Sequence, residues 1–276
     1  DNGELYAEGM SAQIKAQKEA GASGVLLMGT MGMQPCIKNS AYDDAVGSAV
    51  QAKGDMPMIV GVMDNSIARV LDRIAIAEEY DIQGTVLTPP FYLLTDEAGL
   101  YNFYSKAASN CTKPLFMYDH PLFTKHKISY SLVKRIAEID VVKGIKSADL
   151  TLVRKLKRQP VKSDFDVIFS NSDQFDVAYS YGIQNYLDGM FGCVPKTVSQ
   201  LQSAFEANDI KTAASKLDDI LYLRDVMAGC GIWSAFTAAM NLHGFGGLYH
   251  PDYENMPSAE TVKIVEAAMK KIGEID

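Results

Sequence analysis

Short apolar strands alternate with helices at a period near thirty residues as far as Pro195, and beyond it the chain reads as helices alone. These two patterns predict an α/β fold with a parallel sheet: a TIM (β/α)8 barrel followed by a C-terminal helical extension. Gly24, Gly84 and Gly144 open strands sixty residues apart, two βα units each. A chain of 276 residues, 47% hydrophobic and 22% charged, is long enough to build that core as one domain.

In order, Glu4 to Ala20 reads as a helix that Gly21 stops. Gly24-Val25-Leu26-Leu27-Met28 is a strand that runs into the loop Gly29-Thr30-Met31-Gly32-Met33-Gln34-Pro35. A helix over 39–52 and a strand over 56–62 follow. Asp64-Asn65-Ser66 caps a helix whose Ile67, Val70, Leu71 and Ile74 fall at i, i+3, i+4 and i+7. Next come a strand over 84–88, a loop from Pro89 to Leu94, and a helix from Thr95, its cap, to Asn110. Strands at 114–118, 141–147, 166–169 and 185–190 then alternate with helices at 129–139, 150–157 and 173–181, with a loop over 119–127. The closing helices are 197–207, 210–227, 232–243 and 258–272. That makes seven strands. Because the chain opens on a helix, the strand absent from the eight is the first. The predicted division is a barrel over 1–195 and a helical region over 196–276.

Continuous apolar strands suit a barrel and a doubly wound open sheet equally. No GxGxxG or GxxxxGK[ST] follows the first strand, which weighs against the nucleotide-binding forms of the open sheet. The net charge of −8, with acids and bases interspersed, offers neither a nucleic-acid surface nor a polybasic membrane patch. No apolar run is long enough to span a bilayer, and no leader is read before Asp1. Cys36, Cys111, Cys193 and Cys230 lie far apart, with no histidine at metal spacing. They are expected to be free thiols in a reducing, cytoplasmic setting, and no metal is expected.

The candidate chemistry begins at Val141-Val142-Lys143-Gly144-Ile145-Lys146-Ser147. Alternation puts Val142, Gly144 and Lys146 on one face and Val141, Lys143 and Ile145 on the other. If the first set faces inward, Lys146 is a buried amine at a strand's C-terminal end. Desolvation disfavours its charged form and favours the nucleophile that a Schiff base requires. The alternative is that it snorkels past the strand end to solvent. In a barrel the C-terminal strand ends converge on one site. Three of them carry reactive groups: Thr30, Tyr118 and Lys146, the last two 28 residues, one βα unit, apart. A phenol beside an imine passes protons to and from a substrate, with a hydroxyl as relay. The N–H groups of Gly29 to Gly32 suit a carboxylate. This is equipment for making or breaking a carbon–carbon bond next to a 2-oxo acid.

Six segments in order resemble the dihydrodipicolinate synthase / N-acetylneuraminate lyase family of class I aldolases. Gly29-Thr30-Met31-Gly32 is similar to its GTTG or GSTG loop, and Gly61-Val62 through Asn65-Ser66 to its GVxxNS turn. Thr88-Pro89-Pro90-Phe91-Tyr92 resembles TPxYY, Tyr118-Asp119-His120-Pro121-Leu122-Phe123-Thr124 resembles YNxPxxT, Gly144-Ile145-Lys146 matches GIK, and Leu187-Asp188-Gly189 matches (A)DG. The resemblance implies that Lys146 forms an imine with pyruvate or another 2-oxo acid and that Tyr118 and Thr30 relay protons. It places the carboxylate at the Thr30-Met31 turn, with Gly29 and Gly189 beside the substrate. It implies a homotetramer, a dimer of dimers, in which Tyr92 or its neighbour Phe91 enters an adjoining subunit's site. No cofactor is implied beyond the covalent imine.

Several departures bear on the substrate. Met31 replaces a hydroxyl residue of the loop and Met33 an acidic one. Phe123 stands where dihydrodipicolinate synthases carry an arginine, and a phenyl ring cannot grip a carboxylate bidentately. Ala148 and Gln174 stand where sialic acid lyases place polar and acidic groups, although Ser147, Asn171 and Asp173 partly serve. The expected substrate is a 2-keto-3-deoxy sugar acid, cleaved by a retro-aldolase or acted on by a dehydratase. A less polar 2-oxo acid is the variant suggested by Met31, Met33, Phe123 and Cys193. N-acetylneuraminate lyase, dihydrodipicolinate synthase proper and a catalytically silent keto-acid-binding barrel are the alternatives. His120, beside Tyr118, reads as an idle loop histidine.

Overall fold

The structure is a computed structural model that describes residues 3–276. The described elements run α1 (Ala7–Glu19), β1 (Val25–Leu27), α2 (Asn39–Lys53), β2 (Met58–Gly61), α3 (Ile67–Glu78), β3 (Gly84–Leu87), α4 (Glu97–Ala108) and β4 (Leu115–Asp119). They continue with α5 (Pro121–Thr124), α6 (Tyr130–Ala137), β5 (Val142–Ser147), α7 (Leu150–Arg158), β6 (Asp166–Phe169) and α8 (Phe175–Ser180). Last come α9 (Pro195–Glu206), α10 (Ile210–Gly229), α11 (Ile232–Leu242) and α12 (Ala259–Lys271). The chain forms two compact units. One comprises Leu26–Met28 and Pro57–Leu187; the other comprises Gly29–Met56 and Asp188–Asp276 with the chain up to Val25.

The first unit is α/β. Its sheet holds six strands in sequential order, β1 to β6, with parallel pairing from β2 through β6. Helices on the connections bury one face of that sheet. Val70 and Ile74 of α3, Leu100 and Tyr104 of α4, Leu132 and Ile136 of α6 and Leu152 of α7 pack with Leu87, Leu115, Met117 and Ile145 of the strands. Each such side chain, once buried, contributes about 1.5–3 kcal/mol. The opposite face carries a smaller cluster of Met63, Val86, Phe116 and Tyr118, with Leu26 and Ile59 against it.

The predicted seventh strand over 185–190 is one parallel bridge, Phe169 to Tyr186. Phe169 N–H donates to Asn185 O at 2.9 Å and Leu187 N–H to Phe169 O at 2.9 Å. Pairing stops there because Asp188 Oδ1 accepts the Met190 N–H at 2.9 Å and turns the chain into a 3-10 helix over Gly189–Cys193. One expected cap moves: Asp96, not Thr95, caps α4 by accepting the Gly99 N–H. Ser66 is the N-cap residue of α3, as expected, and its own N–H donates to Asp64 Oδ1. The helix expected over 173–181 is divided into a 3-10 turn, Ser172–Gln174, and the short α8.

The alternation expected along β5 fails at its start. Leu115 pairs with Val142 but Phe116 pairs with Gly144, so β5 spends an extra residue, Lys143, in a bulge. Val142 therefore joins Ile145 in the helix-side core instead of sharing a face with Gly144 and Lys146. Gly144 faces Phe116 so closely that an added Cβ would lie 2.6 Å from that ring and 2.6 Å from Asp166 O.

The second unit is helical, formed by α1, α2 and α9 to α12. Glu274, near the C-terminus, caps α9: its carboxylate accepts the Lys196 N–H at 3.0 Å, the Thr197 N–H at 2.8 Å and the Thr197 hydroxyl at 2.7 Å. Among the described residues, no helix is long and apolar enough to cross a membrane.

Candidate active site

Two adjacent strand ends assemble the centre of the site. Tyr118 of β4 lies opposite Lys146 of β5, and Asp119 opposite Ser147. Lys146 is 5% exposed, so it does not snorkel to solvent. Its Nζ stands 4.0 Å above the centroid of the Tyr118 ring, which is itself 3% exposed. Among the described residues no carboxylate lies within ion-pair distance of this amine, and the phenol ring is its neighbour instead.

One residue further on, the side chains turn to the helix side. The Ser147 hydroxyl donates to Asp119 Oδ2 at 2.8 Å, and the Ile128 N–H donates to Asp119 Oδ1 at 3.0 Å. Burial pushes the Asp119 carboxyl above the usual carboxylate range; these two bonds hold it back, Asp149 raises it further and Lys127 lowers it. Ser147, expected at the substrate, therefore has its hydroxyl on the face opposite Lys146. The fully buried Tyr104 backs this pair, donating to Leu87 O at 3.0 Å.

His120 is better placed than its sequence context suggests. Its ring centroid is 5.4 Å from that of Tyr118 and 4.7 Å from that of Phe123, which meets it edge-on at 76°. Burial, and then the charge of Lys146, pushes the imidazole down to about 4, so it is neutral at pH 7. The available signal was parity: His120 lies two residues from Tyr118 and shares its side of the chain. Phe123, in the one-turn α5, is 50% exposed.

The other expected residues fall as follows. Tyr92 is 82% exposed; its N–H and that of Phe91 donate to Asn65 Oδ1 at 2.8 and 2.7 Å, tying the TPxYY-like loop to the GVxxNS-like turn. That turn is braced by Asp64, which pairs with Arg69 and Arg73. Burial alone would raise the Asp64 carboxyl, but Arg69, the Ser66 N–H and Arg73 hold it below its ordinary value. Asn171 Oδ1 accepts the Asp173 N–H at 3.2 Å as a local cap, and Asp173 itself is exposed.

Gly29, Thr30, Met31, Gly189 and Cys193 belong to the helical unit. Gly29 is buried and Thr30 half-buried, and Thr30 O accepts the Met33 N–H at 3.0 Å, closing a turn in which Met33 is left-handed at φ 51°. Met31 packs on Gly189: an added Cβ there would lie 2.2 Å from Met31 Cγ. Cys193 is fully buried with its thiol donating to Met190 O at 3.2 Å, and burial pushes that thiol far up. It is a core residue rather than a surface that a ligand meets. Among the described residues, no cluster of His, Cys, Asp or Glu is arranged to hold a metal.

The Dihydrodipicolinate synthetase family profile matches residues 1–263. A 4-hydroxy-tetrahydrodipicolinate synthase of Methanococcoides burtonii is 25% identical over 268 residues, covering 96% of this chain and 91% of that protein. One from Nitratidesulfovibrio vulgaris is 28% identical over 217 residues, covering 77% and 74%. Among solved structures, Proteus mirabilis N-acetylneuraminate lyase has a TM-score of 0.90 at 19% identity over 98% of this chain and 94% of that one. Thermotoga maritima dihydrodipicolinate synthase has a TM-score of 0.89 at 22% identity over 100% and 95%. The same TM-score, 0.89, is reached at 23% identity, over 100% and 94%, by a dihydrodipicolinate synthase variant described as the first monomeric one. With a buried strand-end lysine set over a tyrosine and a family profile that spans almost its whole length, this chain belongs to the dihydrodipicolinate synthetase family.

Proposed function

We propose that the protein is a class I aldolase that joins pyruvate to an aldehyde, or cleaves the product, through an imine on Lys146. The observation that carries this reading is the Lys146 amine held 4.0 Å over the buried Tyr118 ring. In the condensing direction the neutral amine adds to the C2 carbonyl of pyruvate and expels water, giving the imine. The C3 proton leaves to the proposed Tyr118–Thr30 relay, giving the enamine, whose C3 bonds to the aldehyde carbon. The relay returns that proton through the Tyr118 phenol to the aldehyde oxygen. Water then hydrolyses the imine, releasing a 4-hydroxy-2-oxo acid and the free amine. Cleavage is the reverse. No cofactor enters these steps. The N–H groups around Thr30 and Met31 are the proposed carboxylate seat, and the sheet is read as most of an eight-stranded barrel.

The resemblance offers a 2-keto-3-deoxy sugar acid as substrate. Of the three polar residues counted for its hydroxyls, Ser147 and Asn171 are engaged in bonds of their own. Exposure of Tyr92, Leu93 and Leu94, at 82%, 72% and 72%, supports the proposed tetramer in which Tyr92 enters a neighbouring subunit.

The test is borohydride reduction in the presence of pyruvate, read by intact mass and peptide mapping. A pyruvyl adduct on Lys146, absent from Lys146→Ala, is the expected result. A folded protein that gives no adduct with pyruvate or other 2-oxo acids is a silent member of the family.

A further inference from the structure

We infer that the aldehyde partner of this enzyme is aromatic: an aryl aldehyde seated against Tyr118, His120 and Phe123. The inference rests on the Schiff-base reading of Lys146 and names the second substrate of that site. Three rings form a series of rising exposure, from Tyr118 at 3%, through half-buried His120, to Phe123 at 50%. Their centroids are separated by 5.4 and 4.7 Å, the spacing at which aromatic rings pair, and the outer contact is edge-on. The series starts directly beneath the amine, whose Nζ is 4.0 Å from the first ring. An enamine on Lys146 would therefore present its carbon beside an aromatic wall.

Two of the polar side chains at the same strand ends are already engaged, while Thr88 at the end of β3 keeps a buried hydroxyl with no partner among the described residues and Asp173 is exposed. The Ser147 hydroxyl is bonded to Asp119 behind the sheet, and Asn171 caps its own turn while its amide donates to Gln174 Oε1 at 3.5 Å. A polyhydroxylated aldehyde would strip water from its hydroxyls without finding these partners, which is costly. A carboxylate-bearing aldehyde fares no better, since a phenyl ring occupies position 123 and His120 is uncharged at pH 7. A planar ring loses little conformational freedom on binding and pairs with Phe123 and His120 in the geometry they already share. The chemistry is unchanged: enamine C3 bonds to the aryl aldehyde carbon, and its oxygen takes the proton from Tyr118.

The experiment compares benzaldehyde with D-glyceraldehyde, each with pyruvate and the full chain, by kcat/KM for product formation. Borohydride trapping with pyruvate is run on every protein as the check on the lysine site. The expected result is at least about tenfold preference for benzaldehyde, which Phe123→Ser lowers by about tenfold while Phe123→Leu restores part of it. Equal or better use of glyceraldehyde, use of neither aldehyde, or a preference that Phe123→Ser leaves intact while the adduct still forms overturns the aromatic partner alone. Absence of the adduct from the unsubstituted protein overturns the Schiff-base reading, and this inference with it.

Discussion

The two faces of the β4–β5 pair are built from alternate residues of the same two strands, and they are treated in opposite ways. On the helix side, Asp119 is buried and bonded by Ser147 and Ile128, in a core that includes Met117 and Ile145. On the other side, Lys146 is equally buried but is set over a phenol ring with no carboxylate beside it among the described residues. A buried polar group that is bonded within the protein holds the fold; a buried amine without a carboxylate partner is a candidate for a ligand. The pair teaches that these two treatments are separated here by a single residue of alternation, Tyr118 from Asp119 and Lys146 from Ser147.

Substitutions that act on one face and spare the other sharpen the contrast. The largest effect is expected from Tyr118→Phe. It keeps the ring under Lys146 and removes the hydroxyl, so turnover should fall about 10²–10³-fold while the melting temperature holds. Steady-state rates beside a thermal melt check this, and an active Phe variant would remove Tyr118 from proton transfer. Gly144→Ala comes next: its methyl would meet Phe116 and Asp166 O at 2.6 Å, with an expected loss of about 3 kcal/mol by denaturant titration. If the protein tolerates alanine there, the bulged register that sets the two faces is not tightly fixed.

His120 gives a pH-dependent effect of intermediate size. Its pKa is about 4 in the folded chain and its ordinary value is 6.5, so folding disfavours the protonated ring. The stability it allows is complete above pH 6.5 and is lost as pH falls toward 4. With half-burial discounting the shift, the loss is about 2 kcal/mol. Stability curves at pH 7 and pH 4 should show a smaller difference for His120→Asn than for the unsubstituted protein; identical differences would contradict the burial of the ring. The smallest change belongs to Ser147→Ala. It removes the bond to Asp119 and the one that the Ser147 hydroxyl accepts from the Asp149 N–H at 3.1 Å, and should cost about 1–2 kcal/mol, with the Lys146–pyruvate adduct still formed. Loss of the adduct in a folded Ser147→Ala protein would show that the two faces are coupled rather than separate.

Much of this was legible in the chain. Periodicity located α3 and its inward residues Val70 and Ile74, the run Asp166–Phe169 as a strand, and the helices after Pro195, because apolar spacing is imposed locally by 3.6-residue and two-residue geometry. The motif segments led to Lys146 and Tyr118 as a pair, and the register places them opposite each other. Three features escaped. Val142 was assigned to the Lys146 face because strict alternation cannot foresee the bulge at Lys143. Ser147 was counted for the substrate because its bond to Asp119 joins residues on different strands. The strand over 185–190 shrank to one bridge because Asp188, within a run that reads as strand, bonds its own backbone instead.

The sequence by itself determined the βα alternation and the family, since each is written in local periodicity or in contiguous residues. Only the tertiary structure decided which face each strand-end side chain takes and which neighbour it meets. It neutralised His120 beside Lys146, turned Ser147 away to Asp119, and sealed Cys193 in the core of its own unit. The physical reason is that burial and cross-strand hydrogen bonds depend on register, and a one-residue bulge changes register without leaving a mark in composition.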